Sequence, residues 1–274
     1  MKKFMKLMLC MLVITTSMTA CGKSNATSSS SDEKKSIKIG MRADSLDYGN
    51  EAAKALKQKG YDVKVVTFND SIGPDTALGE GSIDANIYQH EPYLQNYNKS
   101  NKTNFVMVKP KLWAPVFGMY SSKYKDYKEL PDGATIGLCN DATNQSRGLN
   151  LLNEIGLIKL PADKKSPSIY DVKDNAAVNP KKFKFIEADM QTLPQSLKDV
   201  DCILLAATHM VNAGLDASKY IASPKDNETY AVGVVVKNGN ENKKWVKDLN
   251  DAYRTEGIKE LLKKKAKGTL IPLF

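Results

Sequence analysis

The sequence predicts an α/β fold made of two lobes in series, with a ligand cleft between them. Three observations predict it. Short β-prone runs alternate with amphipathic helical stretches along nearly the whole body, which is the pattern of parallel βαβ units. The pattern starts afresh near Ala134, so there are two sets rather than one. No long-period repeat is present, which excludes a solenoid or propeller.

The elements follow in order. Ser36 to Gly40 alternates as a strand, and Glu51 to Lys59 offers Ala52, Ala53, Ala55 and Leu56 as the inner face of a helix closed by Gly60. Tyr61 to Val66 is strand-like again, which completes a βαβ unit. Asp75 to Gly81 reads as a short helix, Ile83 and Ala85 as a strand, and Asn104 to Lys109 as another. The second set opens with strand Thr135 to Cys139 and helix Asn144 to Gly156, in which Leu149, Leu151, Leu152 and Ile155 recur at helical spacing. Phe183 to Glu187 and Cys202 to Leu205 read as strands around a helix from Met190 to Lys198. Val232 to Val236 is a further strand, and Lys243 to Tyr253 and Thr255 to Lys265 form a helical tail. Ligands of such folds lie at the carboxyl ends of strands and between domains.

The first 21 residues set the compartment. Lys2, Lys3 and Lys6 precede an apolar run from Leu7 to Ile14 and then Met18-Thr19-Ala20-Cys21. A basic start, a short apolar centre and a small residue before the cut make a secretory signal, and the run is too short for a permanent span. A cysteine directly after the small residue resembles a bacterial lipobox, which implies cleavage after residue 20 and a lipid on Cys21. Residues 21–35 are Ser-rich, with no apolar side chain larger than Ala26, and read as a flexible tether. The expected location is therefore the extracytoplasmic face of a bacterial cell membrane, held by lipid. Loss of the leader lowers the formal charge from +9 to +6, which suits a position beside anionic lipid. The lysines are scattered without aromatic partners, so no nucleic-acid role is expected. Cys139 and Cys202 are the cysteines of the body. They form one disulfide or serve as two small buried apolar side chains. Two distant histidines, His90 and His209, do not make a zinc site, and no cofactor motif is present.

The segment from Gly81 to Leu94, GSIDANIYQHEPYL, carries Tyr88, His90 and Tyr93 just after a strand-like start. With it the chain resembles the MetQ/NlpA family of methionine-binding lipoproteins of bacterial ABC importers. The likeness continues in Leu130 to Ile136, in Asn140 to Arg147, in Gly156 to Leu160 and in Ala213-Gly214-Leu215. The resemblance implies a periplasmic-binding-protein-like fold whose lobes, 36–117 with 231–274 and 118–230, are joined by two crossover strands and close on one small molecule. It implies that Arg147 grips a ligand carboxylate, with Asn144 beside it and Tyr88, His90 and Tyr93 around a thioether side chain. The partners it implies are an ABC permease and its ATPase. A guanidinium near a helix start suits an anion on two counts, bidentate geometry and the helix dipole. His90 next to Glu91 is compatible with acid-base chemistry, but no nucleophile or second base accompanies it, so no enzyme is expected.

The chain departs from the family pattern where the ligand head group would sit. Ser71 stands for a tyrosine, Asp75 for an asparagine, Ala206-Ala207-Thr208 for a stretch beginning with asparagine, His209 for a tyrosine, and Val232 for the asparagine that holds the amino-acid head group. Asp75 and Thr208 are the expected replacement acceptors. The reading is a lipid-anchored binding protein that delivers methionine or a related carboxylate to a permease. The alternative is a lipoprotein of the same fold with altered specificity, serving as a surface sensor or scavenger.

Overall fold

The structure, a computed structural model, describes residues 34–274. The leader, Cys21 and nearly all of the tether lie outside the described residues.

The first sheet is built around β1 (Ser36–Arg42). Helix α1 (Leu46–Gln58) follows, then β2 (Asp62–Phe68), α2 (Gly73–Glu80), β3 (Ala85–Ile87), α3 (Glu91–Asn101) and β4 (Val106–Met107). Strand β1 lies between β2 and β3 and is parallel to both. Its alternate residues Ile37, Ile39 and Met41 point into one core with Leu56, Trp113, Val234 and Tyr253. A smaller core of Leu78, Ile83, Leu94 and Phe105 covers the other face. A Cβ at Gly40 would crowd the tip of the Ile83 side chain, so a larger residue there requires that side chain to shift. Helix α1 buries Tyr48, Gly49, Ala52, Ala53 and Leu56 and is capped by Lys59, with Gly60 left-handed at φ 86°, as its sequence predicts. It starts five residues earlier than the apolar spacing suggests.

The chain leaves through β5 (Trp113–Pro115) and enters the second sheet at β6 (Phe117–Tyr120). That sheet adds β7 (Thr135–Cys139), helix α4 (Ala142–Glu154), β8 (Lys184–Ala188), β9 (Cys202–Ala206), helix α5 (Ala207–Asn212) and β10 (Tyr220–Ala222). The spatial order is β10-β6-β9-β7-β8, with β7 parallel to β8 and β9 and with β6 antiparallel to β9. Both faces are covered. Phe117, Ile136, Leu138, Cys202 and Leu204 form one core, and Tyr120, Cys139, Ile203 and Leu205 the other. Burial on both sides explains the unbroken apolar run Cys202 to Leu205.

The chain then returns to the first sheet. Val232 makes isolated bridges to Trp113 and His90, and β11 (Val235–Val236) inserts antiparallel between β3 and β4. Helices α6 (Lys244–Ala252) and α7 (Glu256–Leu261) pack on the first lobe, and β12 (Leu270–Pro272) pairs with β5 at the crossing. Several elements differ from expectation. Residues 190–198 make a 3-10 turn, Leu193–Lys198, rather than an α-helix, because Pro194 removes a donor and restrains the residue before it. The strand expected from Val232 shortens to Val235–Val236. Helices α3 and α5 are additional.

Candidate functional site

The carboxyl ends of β1, β3, β7 and β9 converge on a cavity of about 180 Å³. Each strand delivers side chains at its end. Arg42 closes β1, Tyr88 to His90 follow β3, Asn144 and Arg147 stand in the first turns of α4 after β7, and Ala206, Thr208 and His209 follow β9. Of the residues singled out from sequence, Arg147, Asn144, Tyr88, His90, Tyr93 and Thr208 line the cavity. Asp75 is fully buried and does not line it.

Arg147 is 3% exposed. Its guanidinium is sandwiched between the rings of Phe117 and Tyr230, 4.4 and 4.1 Å from their centroids. Nη2 donates to Pro115 O at 3.2 Å and to Asn227 Oδ1 at 3.1 Å. Nε is buried without a partner, and among the described residues no carboxylate pairs with the group. Burial lowers its pKa to about 9, so it stays charged at neutral pH. An enclosed charge without a counter-ion is costly.

Asn144 is oriented by Asp141, the N-cap of α4. The Asp141 carboxylate accepts from the Asn144 backbone N–H at 2.9 Å and from Nδ2 at 3.1 Å. Asn144 Oδ1 therefore faces His90 Nε2, 3.1 Å away. His90 caps α3, its Nδ1 accepting from Tyr93 N–H at 3.2 Å. These roles place the imidazole proton on Nε2. Burial, then the Arg147 charge, lowers the His90 pKa to about 3, so this ring is neutral and unsuited to proton transfer near neutrality.

Tyr88 and Tyr93 meet edge to face, with centroids 6.2 Å apart, and Tyr93 donates to Ser71 O at 2.8 Å. Behind Tyr88, the Asp75 carboxylate is within 2.8 Å of the Tyr88 hydroxyl, 2.8 Å of Asn86 Nδ2 and 2.6 Å of Gln89 Nε2. Burial raises its pKa. Asp75 thus fixes the wall from behind.

Arg42 and Gln89 are lining residues that the sequence did not single out, and His209, which it named as standing for a tyrosine, lines the cavity with them. Arg42 binds Asp44 through Nε and Nη2 at 3.2 and 2.9 Å, and its Nη1 is buried without a partner. His209 is 8% exposed, with Nδ1 unpartnered, and burial, then Arg42, lowers its pKa to about 4. Gln89 Oε1 also lacks a partner. The available signal was an arginine at the carboxyl end of a strand that is otherwise apolar on its inner face. Ala206 and Val232 line the cavity too. Among the described residues no cluster of metal-ligating side chains occurs.

A ligand-sized cleft at the strand ends of two α/β lobes is the arrangement of a solute-binding protein. Residues 37–274 match the model of the NlpA lipoprotein family, and the chain belongs to that family. It is 36% identical over 234 residues to the D-methionine-binding lipoprotein MetQ of Escherichia coli strain K12, covering 83% of this chain and 84% of that one. It is 31% identical over 268 residues to the methionine-binding lipoprotein MetQ of Bacillus subtilis, covering 96% of each. Among solved structures, a nutrient-binding protein from Burkholderia cenocepacia bound to methionine is similar at a TM-score of 0.80 and 34% identity, covering 87% of this chain and all of that one.

Proposed function

We propose that the protein is the extracytoplasmic, lipid-anchored binding component of an ABC importer, and that it carries methionine or a related small carboxylate. The observation that carries this reading is Arg147: a buried guanidinium beside a cavity, with no carboxylate of its own. A ligand carboxylate supplies the missing counter-charge through charge-assisted hydrogen bonds. Asn144 and His90 hold the adjoining wall, Tyr88 and Tyr93 supply ring edges to a thioether, and Thr208 adds a hydroxyl; Asp75 contributes by fixing Tyr88. The relatives named methionine-binding lipoproteins support the same ligand class. Lobes 36–117 with 231–274 and 118–230 would close on the ligand, and a lipid on Cys21 would keep the protein beside its permease and ATPase.

The test is calorimetric titration of the wild type and of Arg147→Met with L- and D-methionine and ammonium-free analogues. Loss of charge-assisted hydrogen bonds costs about 1.5–3 kcal/mol, so Arg147→Met is expected to bind about 10- to 150-fold more weakly. Equal affinity in both proteins would refute the carboxylate role.

A further inference from the structure

Arg147 is held by groups that carry no charge. The rings of Phe117 and Tyr230 cover its two faces. Nη2 donates to two neutral oxygens, Pro115 O at 3.2 Å and Asn227 Oδ1 at 3.1 Å. Nε is buried. Nη1 is neither hydrogen-bonded among the described residues nor buried as Nε is. It is therefore the donor through which Arg147 meets the cavity that it lines.

These holders come from the two segments by which the chain passes between the sheets. Pro115 ends β5 and Phe117 opens β6 on the way out, and Asn227 and Tyr230 lie between β10 and β11 on the way back. Asn227 ties the two segments together, because its Oδ1 also accepts from the Phe117 N–H at 3.0 Å. Both groups facing that atom are donors, which fixes the amide with its oxygen towards them. Tyr230 also meets His90 edge to face, with ring centroids 5.1 Å apart. Neither Asn227 nor Tyr230 belongs to the cavity lining, so both act through Arg147.

The local sequence brings an amide rather than a carboxylate to this place. Asp226 stands one residue earlier. Its carboxylate accepts from the Glu228 and Thr229 N–H groups at 2.7 and 3.2 Å and from the Thr229 hydroxyl, which commits it to the 3-10 turn Glu228–Tyr230. Asp141, ahead of α4, is engaged by Asn144 in the same manner. A carboxylate in place of the Asn227 amide would stand 3.1 Å from Nη2. It would pair with the guanidinium and oppose a ligand carboxylate by like charge.

We infer that Asn227 is a specificity-determining positioning residue of this site: it orients the Arg147 guanidinium through a neutral oxygen and so leaves the charge to an anionic ligand. This rests on the carboxylate reading above and adds the group that keeps Arg147 ready for it.

The test is isothermal titration of the full-length wild type, Asn227→Asp, Asn227→Ala and Arg147→Met with L-methionine, D-methionine and the 2-oxo analogue of methionine. The tightest of the three on the wild type serves as the probe, and each ligand-free Tm is measured alongside. Asn227→Asp keeps the acceptor and the shape and adds charge. It is expected to bind the probe about tenfold more weakly than the wild type, with a ligand-free Tm unchanged or raised because the buried guanidinium gains a counter-ion. Asn227→Ala removes the acceptor without adding charge and is expected to lose less affinity than Asn227→Asp. Binding by Asn227→Asp within about twofold of the wild type would overturn the inference. So would weaker binding with a lowered Tm, which marks a merely structural residue. A loss in Asn227→Ala as large as in Asn227→Asp would overturn the role of charge. Should Arg147→Met bind the probe as tightly as the wild type, or the wild type bind none of the three, the carboxylate reading fails and this inference with it. Weaker binding by Arg147→Met, with Asn227→Asp unchanged, refutes this inference alone.

Discussion

At the scale of single residues, burial decides the behaviour of His90 and His209. Their folded pKa values, about 3 and about 4, lie below the ordinary value near 6.5. Above 6.5 both folded and unfolded chains hold these rings neutral. As the pH falls below 6.5 the unfolded chain takes up protons that the folded chain refuses, so stability falls towards the folded pKa values and then levels off. Each histidine contributes a slope of up to about 1.4 kcal/mol per pH unit inside that window. Asp75 and Asp141, raised by burial, act in the opposite direction at the acid end. A difference between proteins isolates one group: denaturant melts of His209→Leu from pH 7 to 4.5 are expected to fall less steeply than those of the wild type. Parallel curves would refute a neutral His209. Arg147 separates binding from stability at the same scale. Its charge is already a cost in the empty protein, so Arg147→Met is expected to leave the ligand-free Tm unchanged or raised while the ligand-induced shift is lost. The sequence made Arg147 legible because a motif surrounds it. Arg42 was not, because its place at the cavity comes from strand ends brought together over long sequence separations: His209, which also lines it, is 167 residues away.

At the scale of elements, register settles the cysteines. Ile136 pairs with Cys202 across β7 and β9, and Gly137 with Ile203. Cys139 is thus displaced from Cys202 by three residues, about 10 Å along the strand, and it enters the opposite core. A disulfide needs Cα atoms within about 7 Å, and both thiols are free and buried. The expected outcome is no change in Tm with reductant, and labelling of Cys139 and Cys202 only on unfolding; labelling of either in the native chain, or a reductant-sensitive Tm, would contradict the register. The alternating strands and the helices α1 and α4 were readable because each carries its apolar period and a proper end. Helix α3 was not, since only Leu94 is buried in it and its cap is a histidine. Its Glu91-Pro92 start is a helix signal, but no apolar period follows it. Helix α5 begins after Ala206 with no side-chain cap bond, so it lacks the usual start signal. Pairing alone turns Val232 from a strand residue into a bridge at the crossing, and that information is long-range.

At the scale of the whole molecule, hydrogen bonds hold the two sheets' strand ends against each other. His90 Nε2 meets Asn144 Oδ1 at 3.1 Å, Asn212 Nδ2 donates to Asp44 Oδ2 at 2.8 Å, and Gln191 Nε2 donates to Asn69 O at 2.9 Å. The cavity lies between the strand ends that these bonds join. Closure contacts that exist only in this arrangement favour the binding-competent state, so weakening one lowers apparent affinity by the same free energy that it adds to closure. A typical side-chain hydrogen bond contributes about 0.5–1.5 kcal/mol. Asn212→Ala is therefore expected to weaken ligand binding about two- to tenfold. Asn212 does line the cavity, so affinity alone cannot distinguish a lost ligand contact from easier opening, and small-angle scattering supplies the second readout. A closure role requires the ligand-free variant to show a larger radius of gyration than the ligand-free wild type, with the two converging when ligand saturates both. Equal radii without ligand, together with weaker binding, would assign Asn212 to the ligand and leave closure to the pairs at Asn144 and Asn69.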